Sequence, residues 1–184
     1  MKLLYAAFFF LILLFGCCST LGQEYEDSSE TEYVVYETDT YTMECPKDWN
    51  IVPSNISLFG EEFSHTQFLS KREDIEDTLL DAMEISSTEK PKSEPMTFDD
   101  FEAFEMQMMF EGDEFVMKEP ISFAGQDALL LVLHGNIDDD EVIYHVIYFQ
   151  HEGRLYRIQS AFEKGKEEKY SPIFQRMKDS FELK

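Results

Sequence analysis

Between residues 121 and 162 three apolar runs, ISFAGQDALLLVLHG, EVIYHVIYFQ and GRLYRIQSAF, follow one another with only NIDDD and HEG between them. Links this short cannot hold a crossover helix, so the three runs must pair as antiparallel neighbours. That excludes a parallel, doubly wound sheet and fixes a meander as the centre of whatever the chain becomes. Leu129 to Leu133 is continuously apolar, which predicts a strand covered on both faces. In the third run Tyr156, Ile158, Ser160 and Phe162 alternate with Leu155, Arg157, Gln159 and Ala161, so one face is expected to be wetter.

A meander of this kind needs cover. The clearest helix is predicted from about Phe98 to Phe110, with Thr97 as N-cap and Asp99 and Asp100 in the first turn, where the helix dipole favours negative charge. Phe98, Phe101, Phe104, Met108 and Met109 fall within one arc and read as core packing rather than as contacts to a cofactor. A closing helix over YSPIFQRMKDSFEL takes Ser171 as cap and Pro172 at its first position, with Ile173, Met177 and Phe181 on one face and Lys178 on the polar side. Upstream, YTMEC before Pro46 reads as a strand, and Thr66 to Ser70 as an extended segment. IEDTLLDAMEISSTEK carries helical spacing at Ile75, Leu79 and Met83 but also strand alternation, which favours a strand over Ala82 to Thr88 followed by the loop EKPKSEP.

The chain opens with MKLLYAAFFFLILLFG, one Lys ahead of thirteen apolar residues from Leu3 to Phe15, the layout of a secretory signal over residues 1–16. The run is shorter than the roughly 20 residues a transmembrane helix needs. Leu14-Phe15-Gly16-Cys17 resembles the lipobox of bacterial lipoproteins, with Phe15 where a small residue is usual. The resemblance implies that Cys17 is lipidated and becomes the new N-terminus, its sulfur carrying a diacylglycerol thioether. Several acyl chains together anchor firmly. The alternative is an ordinary secretory signal cut between Ser19 and Gly22, with the cysteines incidental. Residues 17–36 contain acids, Ser and Thr but no basic side chain, and are expected to be an acidic tether, with Tyr33-Val34-Val35-Tyr36 its one candidate for order. Residues 37–184 are then a single globular domain that folds without the tether.

Four motifs in order carry a family likeness: a strand ending in Pro with Trp soon after (CPKDW), a Gly at a strand entry (FAGQDALLLVL), a Gly-x-x-Tyr hairpin (GRLYRI) and a last helix running into DSFEL. Together they resemble the PsbP-like family, which includes PsbP and DcrB-like bacterial lipoproteins. The resemblance covers about residues 41 to 184. It implies an α+β fold, a twisted antiparallel sheet flanked by helices as an α/β/α sandwich, used for binding rather than catalysis.

The residues themselves offer little chemistry. His65, His134, His145 and His151 lack the tight spacing and further ligands of a zinc site. Asn136-Ile137-Asp138-Asp139-Asp140-Glu141 starts like a calcium loop, but Glu141 stands where the turn glycine is required and Ile147 where the bidentate Glu is. No Gly-x-Ser-x-Gly elbow or phosphate-binding loop is present. Carboxylate pairs are uninformative among 38 acidic residues, and Cys45 reads as a small buried hydrophobe outside any disulfide framework. The formal charge of −23 repels nucleic acid and anionic headgroups alike. The expectation is a non-catalytic, monomeric binding or assembly accessory in the cell envelope, outside the cytoplasm, anchored through Cys17, with neither cofactor nor metal and with an envelope protein as partner. The alternative is a secreted hydrolase or small-ligand carrier using a pocket between helix and sheet, which a titratable cluster in such a pocket would favour.

Overall fold

The structure, a computed structural model, describes residues 31–58, 61–71, 81–88, 96–109, 112–137 and 140–184. Its strands are β1 (Tyr33–Glu37), β2 (Tyr41–Pro46), β3 (Asn50–Leu58), β4 (Glu61–Leu69), β5 (Ala82–Thr88), β6 (Glu114–Phe123), β7 (Gln126–Ile137), β8 (Asp140–His151), β9 (Arg154–Glu163) and β10 (Glu182–Leu183). Its helices are α1 (Phe98–Met106) and α2 (Glu167–Asp179). A seven-stranded sheet runs β3-β4-β5-β9-β8-β7-β6, and a three-stranded one runs β1-β2-β10. Every pairing is antiparallel. Glu32 to Lys184 form one compact unit.

The large sheet has a core on each face. α1 covers one, where Phe101 packs with Phe63, Leu129, Leu131, Leu133, Val146, Tyr148 and Leu155. On the other, Tyr170, Phe174 and Met177 of α2 and Phe181 beyond it meet Tyr41 and Met43 of the small sheet and Phe149, Tyr156, Ile158 and Phe162 of the large one. Helices therefore flank the sheet only loosely: α1 has nine residues, and the small sheet shares the second layer with α2.

Several expectations are corrected. ISFAGQDALLLVLHG is not one strand, because Ala124 and Gly125 both take positive φ, 49° and 74°, and turn it into the β6–β7 hairpin. Two left-handed residues in succession match the twist of paired strands, and Glu152-Gly153 makes the same kind of turn between β8 and β9. β3 has no strand alternation to reveal it and contains Pro53, which an edge strand tolerates. β1 pairs with β2 from Tyr33 to Glu37, so ordered structure starts inside the stretch read as tether. Tyr36 secures it, its ring lying edge-on to Phe68 at 5.2 Å.

The closing helix begins at Glu167 rather than Pro172. Pro172 lacks the N–H that would bond the Glu168 carbonyl, but both residues are exposed, so water can satisfy it. The buried stripe is accordingly Tyr170, Phe174 and Met177, with Ile173 only partly covered and Lys178 drawn into a half-buried position. Thr97 caps α1 as expected, in a capping box with Asp100, but the helix stops at Met106. Cys17, Cys18, Ile75, Leu79, Phe110 and the loop EKPKSEP lie outside the described residues.

Candidate functional site

Under α1, four adjacent strands place polar side chains where a sheet core is ordinarily apolar. The register sets His65 opposite Ser86, Ser86 opposite Arg157 and Arg157 opposite Tyr148 in one row. The next row holds Gln67, Glu84 and Gln159. From above, Glu105 of α1 reaches into this layer one turn after Phe101, whose ring stacks on Tyr148 at 5.6 Å. Arg157 is 6% and Glu105 4% exposed, so this is an ion pair taken almost wholly out of water.

Its geometry answers the desolvation. Arg157 Nη2 and Nε donate to Glu105 Oε1 and Oε2, each at 2.9 Å, the two-pronged fit of guanidinium to carboxylate. Arg157 Nε also donates to the Tyr148 hydroxyl at 2.9 Å, the hydroxyl donates to Glu105 Oε2, and Arg157 Nη2 donates to Gln159 Oε1. Burial pulls the guanidinium pKa down, but the Glu105 carboxylate and Tyr148 outweigh it and hold Arg157 above its ordinary value. Burial, with Glu105 nearby, pushes the Tyr148 phenol well up, so it stays a neutral donor.

Beside this pair, His65 Nδ1 and Ser86 Oγ share a hydrogen bond at 2.8 Å. Burial lowers the His65 pKa and the Arg157 charge adds to that, against an opposing pull from Glu84, so the ring is neutral near pH 7. A hydroxyl beside a neutral imidazole is two-thirds of a hydrolytic triad. The third part is missing: the nearby carboxylate, Glu84, accepts from Gln67 Nε2 at 2.9 Å rather than orienting His65. The layer is therefore closed on itself and acts as a clamp of α1 to the sheet. Sequence alternation predicts one wetter face on β9; Arg157 and Gln159 are buried because Glu105 meets them. The signal was there in Glu105, which follows Phe101 at i+4 and so lies within the apolar arc of α1.

At the N-terminal end of α1 a groove of about 430 Å³ opens between Met96, Phe98, Phe101, Gln126, Asp127 and Gln150. Gln150 Oε1 accepts from the Met96 N–H at 2.8 Å, while its buried Nε2 has no partner among the described residues.

The histidines do not converge. His65 is on the α1 face, whereas His134 and His145 stand diagonally on the opposite one, paired with Ile143 and Val132. Among the described residues no group of three or more His, Cys, Asp and Glu could hold a metal. Cys45 is buried and free, and burial raises its thiol pKa, which disfavours the nucleophilic thiolate. Glu141, from the acidic hairpin, pairs with Lys164. Among the described residues no helix is long and apolar enough to cross a membrane.

No family model matches the sequence, and no curated protein shows significant similarity to it. Solved structures share its fold. The solution structure of cyanobacterial PsbP from Synechocystis superposes with a TM-score of 0.57 at 15% identity, over 92% of this chain and 99% of that one. LpqN of Mycobacterium tuberculosis, described as involved in cell envelope biogenesis, superposes with a TM-score of 0.52 at 10% identity, over 84% and 90%. The fold is PsbP-like.

Proposed function

We propose that this PsbP-like domain is a non-catalytic binding or assembly accessory of the cell envelope, held outside the cytoplasm by a lipid on Cys17. The observation that carries this reading is the closed polar layer under α1. Glu105, Arg157, Tyr148 and Gln159 bond one another, and Ser86 and His65 bond each other, with no carboxylate among the described residues hydrogen-bonded to His65. Catalysis needs such groups presented to a substrate, not spent on each other. The same closure argues against one form of the alternative, a hydrolase working between helix and sheet. The location is supported by the secretory layout of residues 1–16 and by an envelope protein among those sharing the fold.

Two measurements test the reading. Detergent-phase partitioning should place the wild type with membranes and Cys17→Ala in the aqueous phase; equal partitioning removes the anchor. Crosslinking in intact envelopes followed by mass spectrometry should return a defined protein partner at stoichiometric yield. Turnover of ester or peptide substrates that is lost in Ser86→Ala would replace the accessory role with the hydrolytic one.

A further inference from the structure

Among the described residues, the second face of the large sheet is roofed over only part of its width. α2 lies against β9 and β2, and past its flank the same face of β8, β7 and β6 presents Ile143, His145, Val132, His134 and Met117. None of these is fully buried, and Met117 is 40% exposed. The continuous apolar run of β7 is thus covered on both faces only in part. Lys178 stands at the edge of the roof. Phe174, one turn before it, stacks on Phe162 at 6.0 Å, and Phe162 packs against the His145 ring at 5.6 Å. Lys178 is half-buried, yet among the described residues it is the one lysine or arginine with neither a hydrogen bond, an ion pair nor a ring contact. Its sequence neighbour Asp179 is bonded to Gln175 instead.

We propose that this open strip, from Lys178 across Val132 to Met117, docks a segment of a partner protein that carries a carboxylate among apolar side chains. The inference rests on the binding-domain reading and supplies its surface. Charge complementarity selects the occupant: among the described residues the half-buried Lys178 ammonium forms no ion pair and feels only the pull of Asp179, itself bonded to Gln175, so a carboxylate from outside supplies the direct counter-charge. Burial lowers the Lys178 pKa, a cost that such a contact reverses. The His145 pKa is lowered by burial and by Lys178, so its ring adds a neutral donor rather than a second charge. Apolar side chains of the segment would cover Val132, Ile143 and Met117, the dry centre that a specific interface needs. Glu114 and Glu119, exposed on β6, form the far rim and favour a basic or neutral residue there. The strip is a shallow sheet face, the shape of a protein contact rather than of a ligand cavity.

The test is a nuclear magnetic resonance titration of the ¹⁵N-labelled protein with acetyl-Leu-Glu-Val-Leu-amide and with its Gln counterpart. The Glu peptide should shift the amides of Val132, Ile143, His145 and Lys178 saturably and bind about fivefold or more tightly than the Gln peptide. Lys178→Met should bring the two peptides level, and Lys178→Arg should keep them apart, with both variants retaining the wild-type spectrum elsewhere. Equal binding of the two peptides, or shifts confined to the α1 face, overturns the proposal. Decanoate binding more tightly than the Glu peptide, with the same dependence on Lys178, overturns the protein segment in favour of a fatty acid. Concentration-dependent broadening of the same amides without peptide gives the strip to a second copy. Should an envelope partner crosslink equally to Lys178→Met and wild type, the accessory function stands and this surface falls.

Discussion

Glu105 and Arg157 show how a single pair of residues can hold a helix. Breaking a buried pair by removing one partner leaves an uncompensated charge, a loss of about 3–5 kcal/mol. Glu105→Ala should therefore lower the thermal midpoint sharply. Glu105→Leu combined with Arg157→Met replaces both charges with apolar volume and should recover most of that loss, a non-additivity that a double-mutant cycle measures directly. His65 gives the residue scale a pH dependence. Its folded pKa lies below the ordinary 6.5, so the unfolded chain takes up the proton first. The stability it contributes is complete above about pH 6.5 and is lost as pH falls below that value toward the folded pKa. Urea unfolding between pH 8 and 5 should show wild type losing more than His65→Gln, whose amide can still bond Ser86. Parallel profiles would mean that His65 is protonated without penalty.

At the scale of elements, β1 and α2, far apart in sequence, flank the small sheet and the core beneath it. β1 lines the small sheet, and the Arg176 guanidinium of α2 sits 3.7 Å over the Tyr33 ring, so removing β1 uncovers both neighbours. A chain beginning at Thr38 should melt several degrees below one beginning at Glu32. Equal melting would make β1 an ornament. The apolar face of α2 matters more: Tyr170, Phe174 and Met177, with Phe181 just after, are buried side chains worth about 1.5–3 kcal/mol each, comparable in sum with a whole domain's stability of about 5–15 kcal/mol. Deleting residues 172–184 also strips β10 from β2 and should abolish cooperative unfolding. A deletion variant that remains monomeric and melts like the intact chain would show the helix to be peripheral.

For the molecule as a whole, Cys45 reports on integrity. It is fully buried in the core between the large sheet, the small sheet and α2, with its thiolate disfavoured by that burial. In a chain from Glu32 onward it is the one cysteine, and a thiol reagent should leave it untouched until global unfolding, when colour should develop with the same midpoint as loss of circular dichroism. Rapid labelling of the native protein would mean that the core opens locally. The motifs behind the family likeness belong to this same core and its turns. Trp49 packs on Tyr170 and Phe174, Tyr156 stacks on Phe149 at 4.9 Å, Gly125 turns the β6–β7 hairpin, and Phe181 meets Tyr41 and Phe123. They specify a fold, and so they are silent about a partner.

Local sequence determined what local forces decide: the meander from its short links, β5 from the alternation of MEISST, and the Thr97 cap. It also pointed to the PsbP-like architecture, because turn glycines and large aromatic side chains must recur wherever that core is built. Tertiary structure alone decided the rest. Whether the wet-looking face of β9 met water or Glu105 depended on where α1 came down. Whether Lys178 was solvated or half-buried depended on how much of the sheet α2 roofed. Both are contacts between residues far apart in the chain, and periodicity along one element carries no information about which element lies across from it.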